Sequence, residues 1–80
     1  MPEVSATLDI TREVCPMTYV RTKLRLEALA PGELLEVLLR GDEPARNVPR
    51  SAREEGHEVL SLEALPSGVH RLLLRKQGGR

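Results

Sequence analysis

The one thiol in the chain, Cys15, stands directly before Pro16. A deprotonated thiol is a nucleophile toward sulfur, and it can also carry an extra sulfur atom as a persulfide. Pro16 suits the first position of a helix, because its missing N–H has no intrahelical partner there and its fixed φ presets the turn. Cys15 then occupies or borders the N-cap, where unpaired backbone N–H groups point outward and the helix dipole adds positive potential. Both stabilise a thiolate, and thiols so placed titrate below the free value of about 8.5. Arg12 and Arg21 can add positive charge. Arg21 and Lys23, one to two helical turns on, read as solvated side chains, with docking of an acidic partner as the alternative. The competing reading is an inert cysteine, since free cysteine is among the most buried residue types. The polar run Thr11-Arg12-Glu13 just ahead argues for an exposed loop and so for a reactive thiol.

Little else in the chain offers chemistry. His57 and His70 are the two histidines, and neither has a Cys or His neighbour at metal-ligand spacing. No metal site and no cofactor is expected. No histidine is placed to serve Cys15 as a general base, which argues against protease-type Cys–His catalysis. Asp9 could cap or orient the loop after the first strand. Thr22 reads as a helix surface or interface residue, and Tyr19 as a side chain packed beside the first helix.

Composition narrows the class. Eighty residues make one small domain, with an ordered core expected over about residues 6–76. Twelve basic and twelve acidic side chains cancel. This balance disfavours direct nucleic-acid binding through phosphate neutralisation. Tyr19 is the sole aromatic residue, so a base-stacking platform is missing too. A single cysteine allows no internal disulfide. No apolar run reaches membrane-spanning length, and a soluble, cytoplasmic protein is expected, as a monomer or weak oligomer.

Turn signals at Pro31-Gly32, Gly41-Asp42, Gly56 and Pro66-Ser67-Gly68 separate six elements. Ala6–Ile10 reads as a strand and Pro16–Ala30 as a helix. Leu34–Arg40 is a nearly continuous apolar run between glycines, suited to a buried strand. Pro44–Glu55 is helical, but Pro49 argues against one straight helix, since an interior proline costs about 3 kcal/mol. A turn at Pro44–Asn47, then a helix with Pro49 near its start and Gly56 closing it, is expected. Ala45, Val48 and Ala52 face inward by spacing. His57–Glu63 and Val69–Arg75 form a hairpin. In the first helix, Met17, Val20, Leu24 and Ala28 make one apolar stripe and Leu26 with Leu29 another; the pattern leaves open which is innermost. The order β-α-β-α-β-β, with right-handed crossovers, gives an α/β (α+β) two-layer sandwich. Its four-stranded mixed sheet has two helices on one face, and leucines leave the other face exposed or partner-covered.

These residues resemble the TusA-like (SirA-like) sulfur-carrier family. Leu8-Asp9, Cys15-Pro16 and Thr22-Lys23 are similar to its first strand, Cys-Pro signature and Thr-Lys pair. Pro31-Gly32-Glu33 with Leu35-Glu36-Val37, then Asp42-Glu43-Pro44-Ala45 with Val48-Pro49, then Gly56-His57-Glu58-Val59-Leu60, follow in the family's order. The likeness covers about residues 8–75. It implies the same sandwich fold and a cysteine, here Cys15, that accepts sulfane sulfur as a persulfide and passes it on. The implied donor is a cysteine desulfurase or a rhodanese-like protein. The implied acceptors serve tRNA thiolation, cofactor biosynthesis or sulfur metabolism. Thr18 replaces the second proline of the family's Cys-Pro-x-Pro and is expected to relax the helix start. Arg12 and Glu13 stand where the family has Gly and Leu. The alternative is a non-catalytic protein-binding or regulatory module on the same fold, with an incidental cysteine.

Overall fold

The computed structural model describes residues 4–12 and 17–77, apart from the side chain of Met17. Its elements are β1 (Ala6–Asp9), α1 (Met17–Glu27), β2 (Leu34–Arg40), α2 (Asp42–Glu54), β3 (Glu58–Ala64), a 3-10 turn at Pro66–Gly68, and β4 (Val69–Arg75). One mixed sheet runs in the order β1-β2-β4-β3. β1 pairs parallel with β2, while β4 is antiparallel to both β2 and β3. A helix bridges each of the two parallel steps, β1 to β2 and β2 to β3. Both helices pack on β2 and on each other, so they share one face of the sheet. This is the expected two-layer α+β sandwich. No described helix is long and apolar enough to cross a membrane.

Strand alternation builds the core. Leu35, Val37 and Leu39 of β2 and Leu72 and Leu74 of β4 are fully buried. Pairing sets Leu35 opposite Leu74 and Val37 opposite Leu72, with Ala6 and Leu8 of β1 alongside. Ile10, Leu26, Val48 and Ala52 complete the cluster. Each fully buried leucine contributes about 1.5–3 kcal/mol over an exposed one. On the opposite face, register brings charges together instead. Arg71 donates to Glu36 and, at 3.2 Å, to Glu63. Thr7 donates to Glu36 at 3.1 Å, and Arg75 pairs with Glu58 at 3.0 Å. Leu38 and Leu73 lie half-buried on this polar face, and Leu34 is buried.

Three expectations about the helices change. The second helix is continuous from Asp42 to Glu54, with Pro49 inside it. Pro44 falls at the third position, where the missing N–H costs nothing. The Pro49 ring is buried with Ala45, Val48 and Ala52, and that packing offsets the lost backbone bond. Gly56 closes the helix as expected, at φ 92. Its N–H donates to Arg53 and that of His57 to Ala52, both at 3.0 Å, the paired closing bonds of a left-handed C-terminal cap. His57 is thereby drawn into the cap, and β3 starts one residue later than expected.

α1 ends at Glu27 rather than Ala30. Ala28 and Leu29 close it with i−3 bonds, and the Leu26 carbonyl that accepts from Leu29 also accepts from Lys76 Nζ at 2.8 Å. Its buried seam is Thr18, Thr22 and Leu26, spaced four apart, with Leu29 half-buried. Thr22 is therefore a core residue and not a surface one. Its hydroxyl donates to the Thr18 carbonyl at 2.9 Å, which satisfies the polar atom and permits burial. The Val20–Leu24 stripe faces solvent, with Leu24 60% exposed. Leu26→Ala is expected to lose about 2–5 kcal/mol in urea unfolding. Leu24→Ala is expected to change stability by no more than about 0.5 kcal/mol. Equal losses would mean that the helix is rotated differently on the sheet.

Candidate functional site

Parallel pairing places the carboxyl ends of β1 and β2 side by side, the edge where open α/β sheets collect ligands. The chain leaving β1 stays tied to β2 for one more residue, Ile10 N donating to Leu38 O at 3.0 Å. It then turns. Asp9 Oδ1 accepts from the Thr11 N–H at 3.0 Å and from the Thr11 hydroxyl at 2.8 Å. Aspartate favours this geometry because its short side chain reaches the backbone two residues on. The turn fixes the direction in which Arg12 leads away from the sheet. It is the loop-orienting role expected of Asp9.

Electrostatics at this edge follow from the same bonds. The Thr11 N–H, then the Thr11 hydroxyl, hold the Asp9 carboxyl below the usual carboxylate range, and the charges of Arg12 and Arg40 add to that. Arg40, at the end of β2, is itself anchored by donating to the Ser67 carbonyl at 2.8 Å. Ser67 takes a left-handed conformation, φ 67, in the turn before β4.

Glu13, Val14, Cys15 and Pro16 lie outside the described residues, between Arg12 and the first residue of α1, Met17. The first turn of α1 contains no acidic side chain, so none there counters the positive end of the dipole. The other expected site residues divide. Arg12 is exposed in the turn. Arg21 lies on the β1 side of α1, beside Leu8, Leu24, Arg25 and Ala28. Lys23 points the other way, to Glu55 beyond the end of α2, at 3.5 Å. Tyr19 donates to the same Glu55 at 2.9 Å and packs against the core. Burial, then Glu55, push the Tyr19 hydroxyl above its ordinary range. Lys23 thus joins a contact between α1 and the end of α2 and is separated from Arg21 across the helix.

Arg40 and Glu55 were not singled out from the sequence. Neither sits in a motif; strand register and helix docking bring each to its place. The buried threonines did leave a signal, since Thr18, Thr22 and Leu26 repeat at i, i+4 and i+8. Among the described residues no group of three or more His, Cys, Asp or Glu side chains could hold a metal ion.

Comparison with known proteins places this geometry. Residues 6–76 match the family model for sulfurtransferase TusA. A protein of Archaeoglobus fulgidus, provisionally named a sulfur carrier, is 44% identical over 75 residues, covering 94% of this chain and 85% of its own. One of Thermotoga maritima with the same provisional name is 41% identical over 61 residues, 76% of this chain and 77% of its own. A crystal structure of a SirA-like protein from Desulfitobacterium hafniense superposes with a TM-score of 0.79 at 24% identity, covering 91% of this chain and 99% of that one. The last is a likeness of fold.

The Asp9 turn yields a pH prediction. A carboxyl whose folded midpoint lies below its unfolded one stabilises the fold above the unfolded midpoint, and that contribution disappears as pH falls through the folded midpoint. NMR titration should place Asp9 below an ordinary aspartate, and Thr11→Val should raise its midpoint. No movement in Thr11→Val would remove the Thr11 hydroxyl as a cause and leave the shift to the Thr11 N–H.

Proposed function

The chain belongs to the TusA sulfurtransferase family, and on that premise we propose that it is a sulfur carrier, which holds sulfane sulfur as a persulfide on Cys15 between a donor protein and an acceptor protein. The observation that carries this reading is the family match over residues 6–76, a span that includes Cys15-Pro16. The donor is a cysteine desulfurase or a rhodanese-like protein.

The chemistry is thiol–persulfide exchange. The Cys15 thiolate attacks the outer sulfur of a donor persulfide. A new S–S bond forms on Cys15, the donor's S–S bond breaks, and the donor departs as a thiolate. The proton on the outer sulfur travels with it, and no oxidant or reductant is consumed. An acceptor thiolate then attacks the same outer sulfur and releases Cys15 as a thiolate.

The surroundings suit an anion. Cys15 precedes the first residue of α1, Met17, by two positions, and the N–H groups and dipole at a helix start favour negative charge. Arg12 supplies a positive charge in the turn leading toward Cys15.

Incubation with a persulfide donor should add one sulfur atom to the intact mass, and Cys15→Ser should show no gain. A wild-type protein that gains nothing overturns the carrier reading. Arg12→Gly is expected to raise the Cys15 midpoint measured by alkylation against pH. An unchanged midpoint would assign thiolate stabilisation to the helix start alone.

A further inference from the structure

We propose that His57 is a proton-operated latch: its neutral imidazole holds the chain past β4 against the junction of α2 and β3, and protonation releases it. This goes beyond the carrier reading and does not depend on it.

The latch stands where the sheet runs out. The ladder between β3 and β4 ends at the pair Glu58–Arg75. One residue further back, the backbone of His57 is committed to the cap of α2, its N–H donating to the Ala52 carbonyl at 3.0 Å. The side chain takes over as acceptor. The Gln77 N–H donates to His57 Nδ1 at 3.3 Å, and the Gln77 side-chain amide donates to Glu58 Oε1 at 3.4 Å. An imidazole nitrogen accepts only while it carries no proton, so this bond selects the neutral ring with its proton on Nε2. Protonation of Nδ1 sets a donor against a donor.

The elements packed around His57 bring charge of both signs. Lys76, just past β4, opposes the imidazolium, and Glu55, at the end of α2, favours it. Glu55 is shared with Tyr19 at 2.9 Å and Lys23 at 3.5 Å, both on α1. Glu58 opens β3 and pairs with Arg75 at 3.0 Å. Burial, then Lys76, hold His57 below the usual histidine range. With its midpoint lower in the folded chain than in the unfolded one, the stabilisation is complete above the unfolded midpoint. It is lost as pH falls through the folded midpoint.

Lys76 shows what the latch adjoins. Its N–H donates to the Glu33 carbonyl at 2.9 Å, its carbonyl accepts from the Gly32 N–H at 2.8 Å, and its Nζ reaches the Leu26 carbonyl at 2.8 Å. Gln77 is the next residue along. Acidification therefore frees the chain immediately beyond the contacts that tie β4 to the end of α1.

The test is NMR on the full chain. The ring shifts of His57 give its midpoint. Solvent exchange of the Gln77 amide, divided by the intrinsic rate at each pH, gives its protection. That protection is expected to fall roughly two- to tenfold, as for loss of one hydrogen bond of ordinary net strength, at the midpoint of His57. The Lys76 amide, which donates to Glu33, is expected to keep its protection. His57→Asn offers an amide oxygen in place of Nδ1 and takes up no proton, so Gln77 should stay protected into acid. His57→Leu offers no acceptor and should leave Gln77 unprotected at every pH. Equal protection of Gln77 on both sides of the wild-type midpoint overturns the proposal, and that measurement needs no variant. So does a fall of the same size in His57→Asn, which would pass the titration to Glu55 or Glu58.

Discussion

The rotation of one helix about its own axis decides which of its side chains enter the core of this small domain and which face solvent. α1 has apolar residues on more than one side, so hydropathy alone permits several settings. The seam of Thr18, Thr22 and Leu26 selects one. Threonine can enter the core there because the Thr22 hydroxyl donates to the Thr18 carbonyl within the same helix. With that seam inward, Tyr19 and Lys23 turn toward Glu55, and Arg21, Leu24 and Arg25 turn toward β1 and solvent. The helix separates the contact of Tyr19 and Lys23 with Glu55 from the groove that Arg21 and Arg25 line.

The sheet supplies the complementary constraint. Parallel pairing of β1 and β2 brings their carboxyl ends to one edge, and the Asp9–Thr11 turn leads the chain away from the sheet there. Lys76, just past β4, donates to the Leu26 carbonyl. α1 is therefore held at its C-terminal end by the segment that follows β4. A helix of 11 residues has little stability alone in water. In this fold its position comes from packing and from that end contact.

The two faces of the sheet solve different problems. The helix-covered face is aliphatic, because Leu and Val can fill it without polar atoms that need partners. The other face aligns Thr7, Glu36, Arg71 and Glu63 across three pairs of strands. Exposed ion pairs add little stability each, but they keep the open face polar and discourage association through it. The apolar surface that remains outward is concentrated on α1 and at Leu62 and Leu65.

By itself the sequence determined the order of elements, the mixed sheet, the inward set Ala45, Val48 and Ala52, and the glycine cap at Gly56. These follow from spacing and backbone geometry, which act over a few residues. The adjacency of Cys15 and Pro16 is read from the sequence, and both lie outside the described residues. Tertiary structure decided the rest. It kept α2 continuous through Pro49, because burial of the ring outweighs a local penalty that sequence rules count alone. It buried Thr22, because a hydroxyl satisfied inside its own helix no longer needs water. It parted Lys23 from Arg21, because the direction a side chain takes depends on what the helix packs against, and that is set by strands far away in the chain.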